Sequence, residues 1–263
     1  MSITMRHKDT VAVITGGTQG LGLAVARRLA AEGAQALVIC GRNPQRGAQA
    51  EAELAGLGVQ CRYVQADMAQ VDDCYRVVDA ALESYGRVNV LVNSAASTGR
   101  GGLLDTTLAI WDEHMAVNLR APFLTMQRAV RAMKERGEGG SIVNIITMAA
   151  LCGQSYLTPY SASKGGLMTL TKNVANAFAR DRIRCNGILT GWMETPGEDE
   201  TQRRFHGAGD DWVQRANERL PMGQLVQPDQ LAGLVAYIAS PEAGVMTGSL
   251  VEYDQFVAGA YPE

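Results

Sequence analysis

The chain has no long apolar run, no block of basic residues and no closely spaced cysteines, and each lack removes a class of function. A bilayer crossing needs about 20 consecutive apolar residues, and no stretch reaches that length. The opening residues, Met1 to Thr10, are polar and charged and lack the apolar centre of a signal peptide. Lys and Arg number 24 against 27 Asp and Glu, a formal net charge of −3, so neither nucleic acid nor a membrane surface is an expected partner. The five cysteines (Cys40, Cys61, Cys74, Cys152 and Cys185) are scattered without the spacing of a zinc or redox pair. Their odd number reads as reduced thiols in a cytoplasmic protein. No His/Cys/carboxylate cluster offers a metal site, and no repeat or linker divides residues 1–263.

What is present is a large apolar fraction, 46% of residues, in short runs that alternate with helical patterns. Val11–Ile14, Ala36–Cys40, Gln60–Ala66, Val88–Asn93, Ser141–Ile146, Arg182–Leu189 and Gly248–Asp254 read as strands. Between them lie helical patterns from Leu23 to Gly33, over 44–57, from Val71 to Tyr85, over 107–135, around Tyr160, and from Leu231 to Ala239. Apolar strands alternating with helices predict an α/β fold: one doubly wound, Rossmann-like domain whose seven-stranded parallel sheet is covered on both faces. Ligands of such sheets bind at the carboxyl ends of the strands. The rhythm breaks at about 191–223, a polar stretch expected to be a substrate loop.

Two stretches carry chemistry. Thr15-Gly-Gly-Thr-Gln-Gly-Leu-Gly22 follows a strand and opens a helix. Gly16, Gly20 and Gly22, with Thr18, Gln19 and Leu21 between them, let the backbone approach a pyrophosphate at a helix N-terminus. Farther on, Tyr160 and Lys164 lie four apart, on one face of a helix. A free phenol has a pKa of about 10, and a nearby ammonium is expected to lower it towards use as an acid or base at neutral pH.

The glycine turn together with Tyr160-x-x-x-Lys164 resembles the short-chain dehydrogenase/reductase family from Val11 to Asp254. The resemblance implies a catalytic tetrad of Asn118, Thr147, Tyr160 and Lys164. Thr147 stands where the family has serine; it keeps the hydroxyl but adds a methyl group. Asn118 is expected to support a proton relay that includes Lys164, and Lys164 to hold the nicotinamide ribose. The resemblance also implies cofactor contacts from Asp67 and Met68 on the adenine side, from Asn93 and Ala95 in Asn93-Ser-Ala-Ala96, and from Thr195. At the end of the second strand, Cys40-Gly-Arg-Asn43 offers no carboxylate for the ribose hydroxyls, while Arg42 can pair with a 2′-phosphate. NADP is therefore the expected cofactor, with NAD the alternative. The expected reaction is hydride transfer between the nicotinamide and a carbonyl or secondary alcohol. Trp192, Glu194, His206 and Trp212 in the polar stretch suit a small sugar or polyol better than a steroid or acyl chain. A non-catalytic cofactor-binding sensor is the alternative reading, and the family implies a homotetramer.

Overall fold

The computed structural model describes residues 5–260. Its strands are β1 (Val11–Thr15), β2 (Ala36–Gly41), β3 (Gln60–Gln65), β4 (Val90–Asn93), β5 (Gly140–Ile145), β6 (Ile183–Thr190) and β7 (Leu250–Tyr253). They form one parallel sheet in the order β3-β2-β1-β4-β5-β6-β7. The helices are α1 (Gly20–Ala31), α2 (Pro44–Gly56), α3 (Val71–Tyr85), α4 (Leu108–Met115), α5 (Ala121–Arg136), α6 (Thr158–Phe178), α7 (Pro196–His206), α8 (Trp212–Arg219) and α9 (Pro228–Ala239).

Successive strand residues point to opposite faces, so each apolar strand feeds two cores. Val11, Val13, Val38, Leu91 and Ile142 pack with α3, α5 and α6. Ala12, Ile14, Leu37, Ile39, Val90, Val92 and Val143 pack with α1, α2 and α9. The chain winds from β1 out to β3 and then returns to the other side of β1 as β4. The carboxyl ends of β1 and β4 therefore diverge into helices on opposite faces and leave a crevice. Thr15 bridges that gap: its hydroxyl accepts from the backbone N–H groups of Ser94 and Ala95, both at 3.1 Å.

Two segments differ from the sequence expectation. The helix expected over 107–135 runs from α4 into α5 through a π-helical turn, Ala116–Arg120. Pro122 has no N–H to give to the carbonyl four residues back, that of Asn118. The ladder slips, and the Ala121 N–H bonds to the Ala116 carbonyl, five residues back. The polar stretch 191–223 is not an open loop. It folds into α7 and α8, with a small apolar cluster of its own: Trp212, Ala216, Leu220 and Leu225.

At the opposite edge, the amino ends of the strands, Glu32 is buried between Arg6 at 2.9 Å and Arg28 at 2.5 Å. His7 lies beside it, fully buried, with Nε2 3.0 Å from the Ala236 carbonyl. None of the described helices is long and apolar enough to cross a membrane.

Candidate active site

A cleft of about 1310 Å3 opens at the carboxyl ends of the strands. Its floor on one side is the turn between β1 and α1. Gly16 has φ +67°, and a Cβ there would lie 2.9 Å from the Ala95 Cα. A Cβ on Gly22 would lie 2.2 Å from the Gly16 carbonyl oxygen, so only glycine permits this turn to close. No side chain caps the start of α1, which leaves its first N–H groups to the cleft. Thr18, Gln19, Gly20 and Leu21 line the same wall. This is a cradle fitted to a pyrophosphate, and the fit to a dinucleotide extends along the cleft.

Beyond β2, Arg42 and Arg46 both line it. The Arg42 guanidinium has no hydrogen-bond or ion-pair partner among the described residues. Arg46 donates from Nη1 to Gln19 Oε1 at 2.6 Å. Sequence reasoning missed Arg46, whose side chain reaches from the first turn of α2 across to Gln19. Asp67 and Met68 form the next part of the wall. Asp67 Oδ1 accepts from the Ala69 N–H at 3.0 Å, a local turn contact, while the helix that follows begins later, with Gln70 at its cap.

Asn93, expected beside the cofactor, does not line the cleft. Its amide donates to Asn144 Oδ1 at 2.9 Å and accepts from the Thr125 hydroxyl at 2.8 Å. These bonds tie β4 to β5 and α5, behind the wall that Ser94, Ala95 and Ala96 present. The Asn118 side chain is likewise fully engaged. It accepts from the Ser97 N–H at 2.8 Å and donates to the Ser97 carbonyl at 3.0 Å and the Ser163 hydroxyl at 3.1 Å. It pins the loop after β4 against α6.

Tyr160 and Thr147 both line the cleft, and the Thr147 hydroxyl accepts from the Ala149 N–H at 3.2 Å. Burial pushes the phenol up to about 12; the nearby Thr147 hydroxyl and the Arg100 charge oppose that rise, and the Glu198 charge adds to it. Lys164 is not among the groups that act on the phenol, contrary to the expectation from spacing. Its Nζ is turned to the Ile145 carbonyl at 2.7 Å, behind the cleft wall. Burial brings the ammonium down to about 8. The His114 ring stands edge-on to Tyr160, with centroids 6.3 Å apart.

The far wall comes from the 97–101 segment and α7. Thr195 caps α7, accepting from the Glu198 N–H at 3.0 Å, and its methyl side closes over Gly20. Arg100 donates to the Thr98 carbonyl at 2.8 Å and to His206 Nε2 at 3.4 Å, and its guanidinium lies 5.8 Å from the centre of the Tyr156 ring. Trp192 and His206 line the cleft, as expected. Glu194 and Trp212 do not: Glu194 accepts from Gln227 at 3.0 Å, and Trp212 is buried, donating to Asp199 at 2.7 Å.

The short chain dehydrogenase family model matches residues 10–204. The chain belongs to this family. The dehydrogenase is 34% identical over 251 residues to L-rhamnose 1-dehydrogenase (NAD(P)(+)) of Azotobacter vinelandii, covering 94% of this chain and 95% of the relative. It is 33% identical to the NADP-dependent (R)-specific alcohol dehydrogenase of Lentilactobacillus kefiri, over 94% of this chain and 96% of that one. Among solved structures, an actinorhodin polyketide ketoreductase variant with NADPH superposes with a TM-score of 0.88 at 32% identity, covering 96% of this chain and 98% of that one. The dehydrogenase is thus a nicotinamide-dependent oxidoreductase acting on CH–OH or C=O groups.

Proposed function

We propose that the enzyme interconverts a secondary alcohol and a carbonyl on a small polyhydroxylated substrate, a sugar or polyol, with NADP as cofactor. The observation that carries the reaction is that Tyr160 and Thr147 line the same cleft as the glycine turn. When bound, the nicotinamide supplies or accepts the hydride.

The rest is the work of the chain's own groups. A phenol held protonated up to about 12 is ready to give its proton to a carbonyl oxygen during reduction, with Thr147 donating to the same oxygen. In oxidation Tyr160 must take the alcohol proton, so that direction is favoured as pH rises. Lys164, still largely cationic at neutral pH with its pKa near 8, suits the nicotinamide ribose and would bring positive charge towards the phenol. The Asn118 carbonyl suits the relay between Lys164 and solvent.

Arg42 and Arg46 support NADP, since two guanidinium groups and no carboxylate stand at the end of β2. The substrate half of the cleft supports a neutral, hydroxyl-rich molecule. Glu113, Glu198, Glu200 and Asp254 outnumber Arg100 and Arg204 there, which disfavours an anion, and Tyr156 and Trp192 offer faces to a sugar ring. The relative that acts on L-rhamnose points the same way. Exposed Trp111 and Phe123, on α4 and α5, support association into the homotetramer proposed for the enzyme. A cytoplasmic setting is proposed on the free cysteines.

The test is titration with NADP(H) and NAD(H), then a panel of sugars, polyols and simple ketones. Tyr160→Phe is expected to bind cofactor like the wild type and to lose turnover by about 100-fold or more. Full activity in that variant overturns the mechanism.

A further inference from the structure

Glu198 lines the substrate half of the cleft from the first turn of α7. Its two carboxylate oxygens are treated differently by the protein. Oε1 accepts from Trp192 Nε1 at 2.8 Å and from Gln202 Nε2 at 2.7 Å, and Arg100 Nη2 lies 3.7 Å from the same atom. No protein donor reaches Oε2 among the described residues. The side chain is only 15% exposed, yet Oε2 is not among the buried atoms left without a partner, so its surface faces the cleft. The backbone beneath is fixed as well, because the Glu198 N–H is the group that Thr195 caps.

A carboxylate so held loses little freedom when it takes one more bond, which is the condition for a selective contact. The charge nearby decides what that contact is. An anion is repelled by Glu198 itself. A cation would have to approach Arg100, already within 4 Å of the carboxylate. A metal lacks co-ligands, since no group of three or more His, Cys, Asp or Glu suited to an ion occurs among the described residues. A neutral hydroxyl meets neither objection, and a carboxylate oxygen is a strong acceptor for its proton.

We infer that Glu198 is a specificity residue of the enzyme: Oε2 accepts a hydrogen bond from a substrate hydroxyl other than the one being oxidised. This rests on the sugar or polyol reading and sharpens it, because a site built to bond a hydroxyl rejects the analogue that lacks it. Glu198 also explains why α7 carries an acid in its first turn besides the favourable position at a helix N-terminus. The same residue joins Trp192, Gln202 and Arg100 into one wall of the cleft.

The probes are L-rhamnose and tetrahydropyran-2-ol, the same six-membered ring with its 2-hydroxyl but without the other hydroxyls and the ring methyl group. Binding to the NADP-loaded enzyme is read by saturation-transfer NMR, which detects weak ligands whether or not turnover follows; kcat/KM is read from NADPH absorbance. Glu198→Gln is the informative variant. Trp192, Gln202 and Arg100 hold the amide oxygen in place of Oε1, and the NH2 group turns to the cleft as a donor instead of an acceptor. The wild type is expected to prefer the hydroxylated ring, and the variant to lose about tenfold or more of that preference. The ratio is read, rather than either rate, because the Glu198 charge also bears on Tyr160. A wild type without preference, or a variant that keeps the wild-type ratio, overturns the assignment. The parent reading fails on a different result, turnover of simple ketones in the panel with none of any sugar or polyol.

Discussion

Arg42 and Arg46 illustrate how two like charges come to share one end of a cleft. Arg42 follows β2 directly and is exposed, its guanidinium unopposed, while Arg46 is steadied by Gln19. The pairing of a guanidinium with a phosphate is bidentate and charge-assisted. Arg42→Ala is therefore expected to weaken NADP(H) binding by about tenfold or more, with NAD(H) changed by about twofold at most. Fluorescence titration of both cofactors measures this, and an equal loss for both would mean that Arg42 only stacks on adenine. At this scale Arg42 was legible because the family places its cofactor-reading residue there. Arg46, Arg100 and Glu198 were not, since each acquires its role from a residue distant in sequence or across a turn. Asn93 failed for the opposite reason. Its position was right, but sheet pairing turns its side chain inward to Asn144 and Thr125.

The helices and strands were legible in outline because each apolar run feeds a core and each glycine or proline punctuates it. The expected helix over Val71 to Tyr85 matches α3, and the expected strands overlap β1 to β7. Three elements escaped. The π turn at Ala116–Arg120 comes from a missing N–H at Pro122, which periodicity does not register. The helices α7 and α8 are polar on most sides, and the apolar cluster under α8, Trp212, Ala216, Leu220 and Leu225, is too small to stand out. The start of α7 depends heavily on one cap. Thr195→Ala is expected to destabilise that helix by about 1 kcal/mol. Faster hydrogen exchange in 196–206 and a raised substrate KM would accompany the loss. Unchanged exchange would show that packing against the 97–101 segment, rather than the cap, holds α7.

The molecule as a whole divides along its strands, with the cleft at the carboxyl ends and a buried charged cluster at the amino ends. Burial is the largest influence on His7 and lowers its pKa; the Ala236 carbonyl and the Glu32 charge oppose it, Arg6 adds to it, and Glu242 opposes it weakly. Above the ordinary histidine pKa of about 6.5 both folded and unfolded chains hold His7 neutral, and its contribution to stability is complete. Below that pH the unfolded chain takes up a proton that the folded chain resists, so stability falls on acidification until the lowered folded pKa is passed. His7→Gln, which can still donate to Ala236, is expected to flatten this acid-side loss in a denaturant-midpoint series between pH 7 and 5, with turnover unchanged. An unaltered slope would move the acid sensitivity elsewhere in the chain.

The insertion of α7 and α8 between β6 and α9 has a consequence for how such an enzyme diversifies. Thr190 ends a buried strand, and Pro228 starts a helix whose apolar face packs with α1. Everything between them hangs from two fixed posts, with α8 on its own small cluster and α7 against the 97–101 segment. Residues 191–227 are in effect a cassette: exchanging them between members is expected to alter which molecules are accepted while Gly16, Gly22 and Tyr160, all outside it, stay where they are.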